Sequence, residues 1–459
     1  MGKQSKLARF TLVALTTIIT LSLVYYISLQ VGRYTPESSA PDALFIHNVK
    51  FWDGEKHNLD SGHILIRAGH IECIGNHCIQ PSDALEVDGG DFTAMPGLVD
   101  LHIHFYAPVG ADTTSPLYAL KMPLWEAPRQ RPQVRRAFLE HGVTSVRGMG
   151  SIGGLELELR DKVAAGELLG PRFFSAGPIF TAVDGHPAST FYRGIPPMQK
   201  MGTRQLEDPH EAILEVRRLH AQGFDGVKIV YEGLTRDGVV VLPQLNEQAM
   251  RAISEEANTL GMWVAIHTGN LEDMRAAVEA GATTIEHGLT RPNEIPDRTL
   301  LDLMKEKGTI LVPTLAVLES AAKGAILGEG LSEALEEAQL GLSDAPKFDE
   351  TLKLVKMFAD AGIPIGAGTD TLGEIMAFGP SLIREIELIS QAGLTNREAL
   401  MAATTVAAAA LQEPNVGALK TGSFGDLLLL NGNPLEDLST LHAPVLVISR
   451  GRIVGGSKQ

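Results

Sequence analysis

A (β/α)8 barrel inserted in a small composite β-sandwich, preceded by one N-terminal transmembrane helix, is the α/β architecture that the sequence predicts. Three observations lead to it. Between residues 97 and 413, short apolar strands alternate with amphipathic helical stretches. Segments of strand character flank that region on both sides. Ahead of them lies 10–31, a run of 22 residues without a charge. The 459-residue chain has 44% hydrophobic and 20% charged side chains, an ordinary globular composition that excludes a disordered chain, a collagen and a polytopic membrane protein. Its 39 Lys and Arg against 55 Asp and Glu give a formal charge of −16. Nucleic acid is therefore excluded as a partner, because phosphate binding needs a basic face. Two cysteines exclude a disulfide-stapled scaffold.

The uncharged run has the length of a membrane span, which takes about 20 apolar residues in a helix. Lys3, Lys6 and Arg9 precede it and Arg33 follows, so the N-terminus stays in the cytoplasm and the rest is carried across. Residues 1–33 thus read as a signal anchor, with the body on the periplasmic or extracellular side. The competing reading is a cleaved signal peptide with Ser38-Ser39-Ala40 at its end, which would release a secreted body. Residues 34–43, with Pro36 and two serines, form a linker.

Residues 44–96 make the N-terminal part of the β-sandwich, with strands at 45–49 and 63–66 and a hairpin over 71–79 turning at Gly75-Asn76. That hairpin sets Cys73 opposite Cys78, as a disulfide or as two buried thiols. The barrel, 97–413, has candidate strands at 98–105, 143–147, 172–176, 227–230, 263–268, 283–286, 310–313 and 363–369, with helices such as 245–260 and 272–280 between them. An acidic helical stretch, 331–340, reads as a solvated insertion. Residues 414–459 return to strands at 426–430, 445–448 and 452–454 and complete the sandwich.

In such barrels the chemistry lies at the C-terminal ends of the strands. The first strand ends in His102-Ile103-His104, the fourth contains Lys228, the fifth His267, the sixth ends at His287 and the eighth at Asp370. Two histidines two residues apart on a strand face the same side, the geometry of a metal-ligand pair. Singly, each of these histidines is as readily a structural residue, and Asp370 as readily a helix cap. Lys228 stands among apolar neighbours. A buried ammonium tends to lose its proton; the neutral amine can take up carbon dioxide as a carbamate able to bridge two divalent ions. Alternatively it snorkels to the strand end or pairs with a carboxylate.

These residues stand in Met95-Pro96-Gly97-Leu98-Val99-Asp100-Leu101-His102-Ile103-His104, Gly226-Val227-Lys228-Ile229, Val264-Ala265-Ile266-His267, Glu286-His287-Gly288 and Gly368-Thr369-Asp370-Thr371. With the closing segment Gly425-Asp426-Leu427-Leu428-Leu429-Leu430, they make the chain resemble the amidohydrolase superfamily, in its imidazolonepropionase-like branch, over about residues 44–456. The resemblance implies a metal-dependent hydrolase of carbon–nitrogen bonds with two divalent ions, zinc first, manganese or iron as alternatives. His102, His104 and Asp370 would hold one ion, His267 and His287 the other, with carboxylated Lys228 between them. Three departures fall around the substrate pocket. Arg147-Gly148-Met149-Gly150 stands where many relatives have Arg-Asp-Met-Gly, Thr268-Gly269-Asn270 follows His267 where many have a second histidine, and Phe378-Gly379 stands where His-Gly is frequent.

The mechanism so implied is attack by a metal-bridging hydroxide on an amide or cyclic amide, with Asp370 taking its proton and passing it to the leaving nitrogen. Exported dipeptidase and prolidase-like members of the family suggest a dipeptide or an N-acyl amino acid as substrate. Tyr231, three residues after Lys228, would donate to the developing oxyanion or pack at the rim. His186, in Asp184-Gly185-His186-Pro187, would touch substrate or brace its loop. The alternatives are a mononuclear deaminase or cyclic amidohydrolase, which needs no bridging lysine, and a membrane-tethered binding protein without catalysis. Homo-oligomers are common among large barrels.

Overall fold

The computed structural model describes residues 2–31, 34, 41–105, 127–150, 152, 154–193, 196–236, 239–288, 294–322, 348–371 and 376–456. Helix α1 (Gly2–Val31) opens the chain, and the apolar side chains from Leu12 to Ile27 along it are exposed. Among the described residues, no helix is long and apolar enough to cross a membrane. The transmembrane helix expected for residues 1–33 is thus found as a helix and not as a span, the side chains at both ends of its apolar run lying outside those described. Tyr34 is seated on the body: its carbonyl accepts from Leu169 N–H (3.1 Å) and Arg135 Nη1 (3.3 Å), and its hydroxyl donates to Val454 O (3.3 Å).

Strands β1 (Ala43–Phe51), β2 (Asp60–Arg67), β3 (His70–Gly75), β4 (Ala84–Asp88) and β5 (Phe92–Pro96) follow. The expected hairpin over 71–79 is corrected here. β3 ends at Gly75 and pairs with β2, while Cys78 N–H closes a turn onto Gly75 O (3.3 Å) and Ile79 is 84% exposed. Cys78 instead turns into a small cluster with Phe45, Leu65 and Ala84, and the bond to Cys73 is made, with Cα atoms 5.7 Å apart. This crosslink closes a very short loop, so its loss in a Cys73→Ala/Cys78→Ala variant is expected to cost about 2 kcal/mol. A urea titration against the unmodified chain measures this.

The barrel begins with β6 (Leu98–Ile103), β7 (Val143–Gly148) and β8 (Arg172–Ser175), paired in parallel. β9 (Ile179–Thr181) lies between β10 (Thr203–Gln205) and β11 (Gly226–Val230). β12 (Leu234–Arg236) and β13 (Val239–Leu242) form a rim hairpin. β14 (Trp263–Thr268), β15 (Thr284–His287) and β16 (Ile310–Val312) continue the parallel sheet from β11. Closure falls to residues 364–371. Gly366 N–H donates to Leu311 O and Leu311 N–H to Pro364 O on one side; Leu101 N–H donates to Ala367 O and Asp370 N–H to His102 O on the other. Seven of the eight expected strands are present to within a few residues, and the eighth, 363–369, is met by extended chain held through isolated bridges at Ile365 and Thr371. The helices Glu247–Thr259 and Leu271–Glu279 stand where 245–260 and 272–280 were expected. The acidic stretch 331–340 lies outside the described residues.

β17 (Leu427–Asn431), β18 (Leu446–Ser449) and β19 (Arg452–Gly455) return to the first sheet. β17 pairs antiparallel with β5, from Leu427 opposite Pro96 to Asn431 opposite Phe92, so both ends of the chain build one sheet. Leu44, Ile46, Ile64 and Ile66 share its core with Leu427, Leu429 and Ile448. Since β5 runs into β6 through Gly97 alone, this sheet clamps the entry to the barrel's first strand, where His102 sits.

Candidate metal centre

Strand alternation sends Asp100 and His102 to the same side of β6. Asp100 accepts from His102 N–H (3.2 Å), Thr369 N–H (3.0 Å) and Thr369 Oγ1 (2.8 Å), tying the first strand to the last at the level of the site. Burial pushes the Asp100 carboxyl up to about 7. Across this seam Asp370 meets both histidines, Oδ1 lying 3.0 Å from His104 Nε2 and 3.5 Å from His102 Nε2. The ligand atoms of His102, His104 and Asp370 all lie within 4.8 Å of one another. His287 joins from β15, its Nδ1 3.9 Å from Asp370 Oδ2 and its ring centroid 4.9 Å from that of His102. His267 packs on His287 with ring centroids 4.6 Å apart.

The second nitrogens of these rings are held by oxygen. His102 Nδ1 lies 2.6 Å from Glu286 Oε2, His267 Nε2 lies 2.6 Å from Glu232 Oε2, and His287 Nδ1 lies 2.7 Å from Thr314 Oγ1. Ligating histidines are fixed in this way, one nitrogen to an oxygen partner and the other to the metal. His102 Nε2 is buried and makes no hydrogen bond. Burial pushes His102 down to about 4 and His287 well below the usual imidazole range, so both rings are neutral and offer a lone pair. Burial opposes ionisation of Asp370, yet His102, His104 and His287 around it hold its carboxyl well below the usual carboxylate range. Lys228 is 2% exposed and its Nζ makes no hydrogen bond. Burial brings it down to about 8 against the pull of Glu286 and Asp370. Two orphaned nitrogens beside a carboxylate and neutral imidazoles form a donor set that fits divalent metal.

Three of the strand ends are bent out of the extended region. His287, Thr314 and Asp370 have φ of +63°, +52° and +54°. For the β-branched Thr314 this conformation is costly, about 1–3 kcal/mol, and such strain collects at functional sites. At His287 it breaks the alternation of β15, so that Glu286 and His287, though adjacent, both reach the site. Behind Thr314, the Glu385 carboxylate accepts from Leu315 N–H (2.9 Å) and Ala316 N–H (2.6 Å) and fixes the turn. Thr314→Val keeps the shape and removes the oxygen that holds His287. It is expected to weaken metal binding about 10-fold, measured by competition with a chelator.

His186 is brought to the site. Its ring lies 5.6 Å from that of His267, its Nδ1 is 2.7 Å from Thr190 Oγ1, and burial takes it down to about 3. Tyr231 is packed in the core close to the charges of Glu247 and Asp273, in the first turns of the two helices that follow, and burial pushes its hydroxyl up to about 12. Glu232, four residues after Lys228 and just past the end of β11, is the residue overlooked in the sequence, and counting on from Lys228 by twos would have found it. Glu286 could have been found likewise, two residues after inward-facing Thr284.

A model of the amidohydrolase family matches residues 93–454. The ochratoxinase of Aspergillus niger is 28% identical over 387 residues, covering 77% of this chain and 73% of that protein. An imidazolonepropionase of Anaeromyxobacter dehalogenans is 28% identical over 37% of this chain and 45% of its own length. Among solved structures, a Xaa-Pro dipeptidase with methionine bound in its active site superposes with a TM-score of 0.73 at 28% identity, over 90% of this chain and 100% of its own. The matched segment runs from β5, through every strand that carries a site residue, to β19, and the chain belongs to the amidohydrolase family.

Proposed function

We propose that this protein is an amidohydrolase that cleaves the amide bond of a dipeptide or an N-acyl amino acid. The observation that carries the reading is the convergence of His102, His104 and Asp370 within 4.8 Å, beside a buried lysine amine without a partner. His102, His104 and Asp370 would hold one divalent ion and His267 and His287 a second, zinc being the first candidate. Lys228 would lie between them as a carbamate: its neutral amine bonds to the carbon of carbon dioxide and releases one proton. When bound, the metals polarise the scissile carbonyl and lower the pKa of water. Asp370, held ionised, is placed to accept the proton of the attacking water and return it to the leaving nitrogen. Burial of His102 and Lys228 keeps bulk water from competing for these groups. His186, beside His267, would contact the substrate.

The substrate class is supported by two relatives, the ochratoxinase and the Xaa-Pro dipeptidase. The test is hydrolysis of a panel of dipeptides and N-acyl amino acids by the full chain in detergent, with elemental analysis. About two metal ions per chain and release of free amino acid, lost in Asp370→Asn, are expected. Ammonia released from a ring substrate with one metal would replace this reading by the mononuclear deaminase.

A further inference from the structure

We propose that Glu232 is the positioning residue for His267, and that Gly269 is the space it occupies; this rests on the metal reading above. Four observations carry it. Glu232 Oε2 lies 2.6 Å from His267 Nε2, with both side chains only slightly exposed. A carboxylate at that distance only accepts, so His267 donates from Nε2 and leaves Nδ1 to turn toward the metal. The backbone next to it is pinned, since Tyr231 N–H donates to His267 O at 2.9 Å. A Cβ placed on Gly269 would overlap the Glu232 carboxyl group, so any other residue there shifts the carboxylate from its seat. The Thr268-Gly269-Asn270 segment therefore has a task of its own, which is to admit an acid from the neighbouring strand.

The opposite arrangement stands across the barrel. Glu286 Oε2 lies 2.6 Å from His102 Nδ1, which leaves the lone pair on Nε2. That carboxylate is itself anchored, its Oε1 accepting from Arg147 Nη2 at 2.7 Å. The two acids thus lock their histidines in opposite tautomers. Nδ1 is the ring nitrogen nearer the backbone and Nε2 the farther. His267 therefore offers the short reach from its wall and His102 the long reach from the other.

The test uses the full chain labelled with 15N-histidine, stripped of metal by a chelator, and compares it with Glu232→Leu and Gly269→Ala. Two-bond nitrogen–proton correlations identify the tautomer of each ring. One ring fixed as the Nε2–H form is expected in the wild type and a mixture of forms at that ring in both variants. Chelator competition is expected to show a 10–100-fold weaker affinity for one of the two ions. Gly269→Ala keeps the acid and fills only its seat, so agreement between the two variants separates positioning from a loss of folding. An unchanged tautomer in both variants overturns the proposal. So does an affinity loss in Glu232→Leu that Gly269→Ala does not share, because Gly269 would then not be the seat of the carboxylate. Because the spectra are recorded without metal, a wild type that binds none sinks the metal reading alone, and the tautomers still decide the role of Glu232.

Discussion

Lys228→Ala is expected to lower kcat about 1000-fold or more and to reduce bound metal from about two ions per chain to about one. The magnitude follows from the several kcal/mol that metal polarisation supplies, at about 1.4 kcal/mol per tenfold. The amine is buried, makes no hydrogen bond and sits at about 8, so a substantial neutral fraction exists at physiological pH to form the carbamate. Its removal breaks no bond within the protein, and a fall in metal content would therefore report on ligation and not on folding. Rescue gives the sharper reading. A small carboxylate such as acetate fits the space left by Ala and can stand in for the carbamate oxygens, whereas Lys228→Met fills the space with a thioether. Acetate restoring activity and the second ion in Lys228→Ala, and neither in Lys228→Met, is the expected pattern. Full metal content in both variants would exclude the bridge.

The legible part of this molecule is the part governed by periodicity. Seven barrel strands stood out because parallel strands covered on both faces are near-continuous apolar runs, as in Gly226–Val230 and Trp263–Thr268. The ligand candidates stood out because His102, His267, His287 and Asp370 interrupt such runs at their ends. What stayed hidden depends on local breaks in periodicity. The Glu286–His287 pair works only because φ at His287 is positive, and Thr314 reaches His287 by the same device one strand later. Glu232, which holds His267, went unnoticed because it lies just past the end of β11, where no apolar run sets it off. Gly75-Asn76 has the composition of a hairpin turn, but the bond between Cys73 and Cys78 and the burial of Cys78 outweigh a second strand there.

Arg147→Met is expected to destabilise the protein by about 3–5 kcal/mol, the cost of leaving one partner of a buried ion pair alone. Arg147 is fully buried across the barrel floor, its guanidinium 5.1 Å from the Trp263 ring centroid. It donates to Leu101 O (2.7 Å), Thr284 Oγ1 (3.2 Å) and Glu286 Oε1 (2.7 Å). Burial works to raise the Glu286 carboxyl, and Arg147, with His102 and Lys228, outweighs it and holds the carboxyl at about 2. An unperturbed glutamate titrates at 4.5, so the folded carboxyl is depressed. Its contribution to stability is present above pH 4.5 and is lost as the pH falls toward 2. Without Arg147 that carboxylate loses its main counter-charge. The gap between variant and wild type is therefore expected to be widest above pH 4.5 and to narrow in acid, as Glu286 takes up a proton in both. Adding Glu286→Gln to Arg147→Met removes the uncompensated charge, and the double variant is expected to recover most of the lost stability. It should not recover metal affinity, because the amide no longer fixes the proton on His102 Nδ1. Urea titrations across the pH range measure the first effect and chelator competition the second. Stability and metal affinity recovering together would mean that Arg147 and Glu286 serve only to fill the barrel floor.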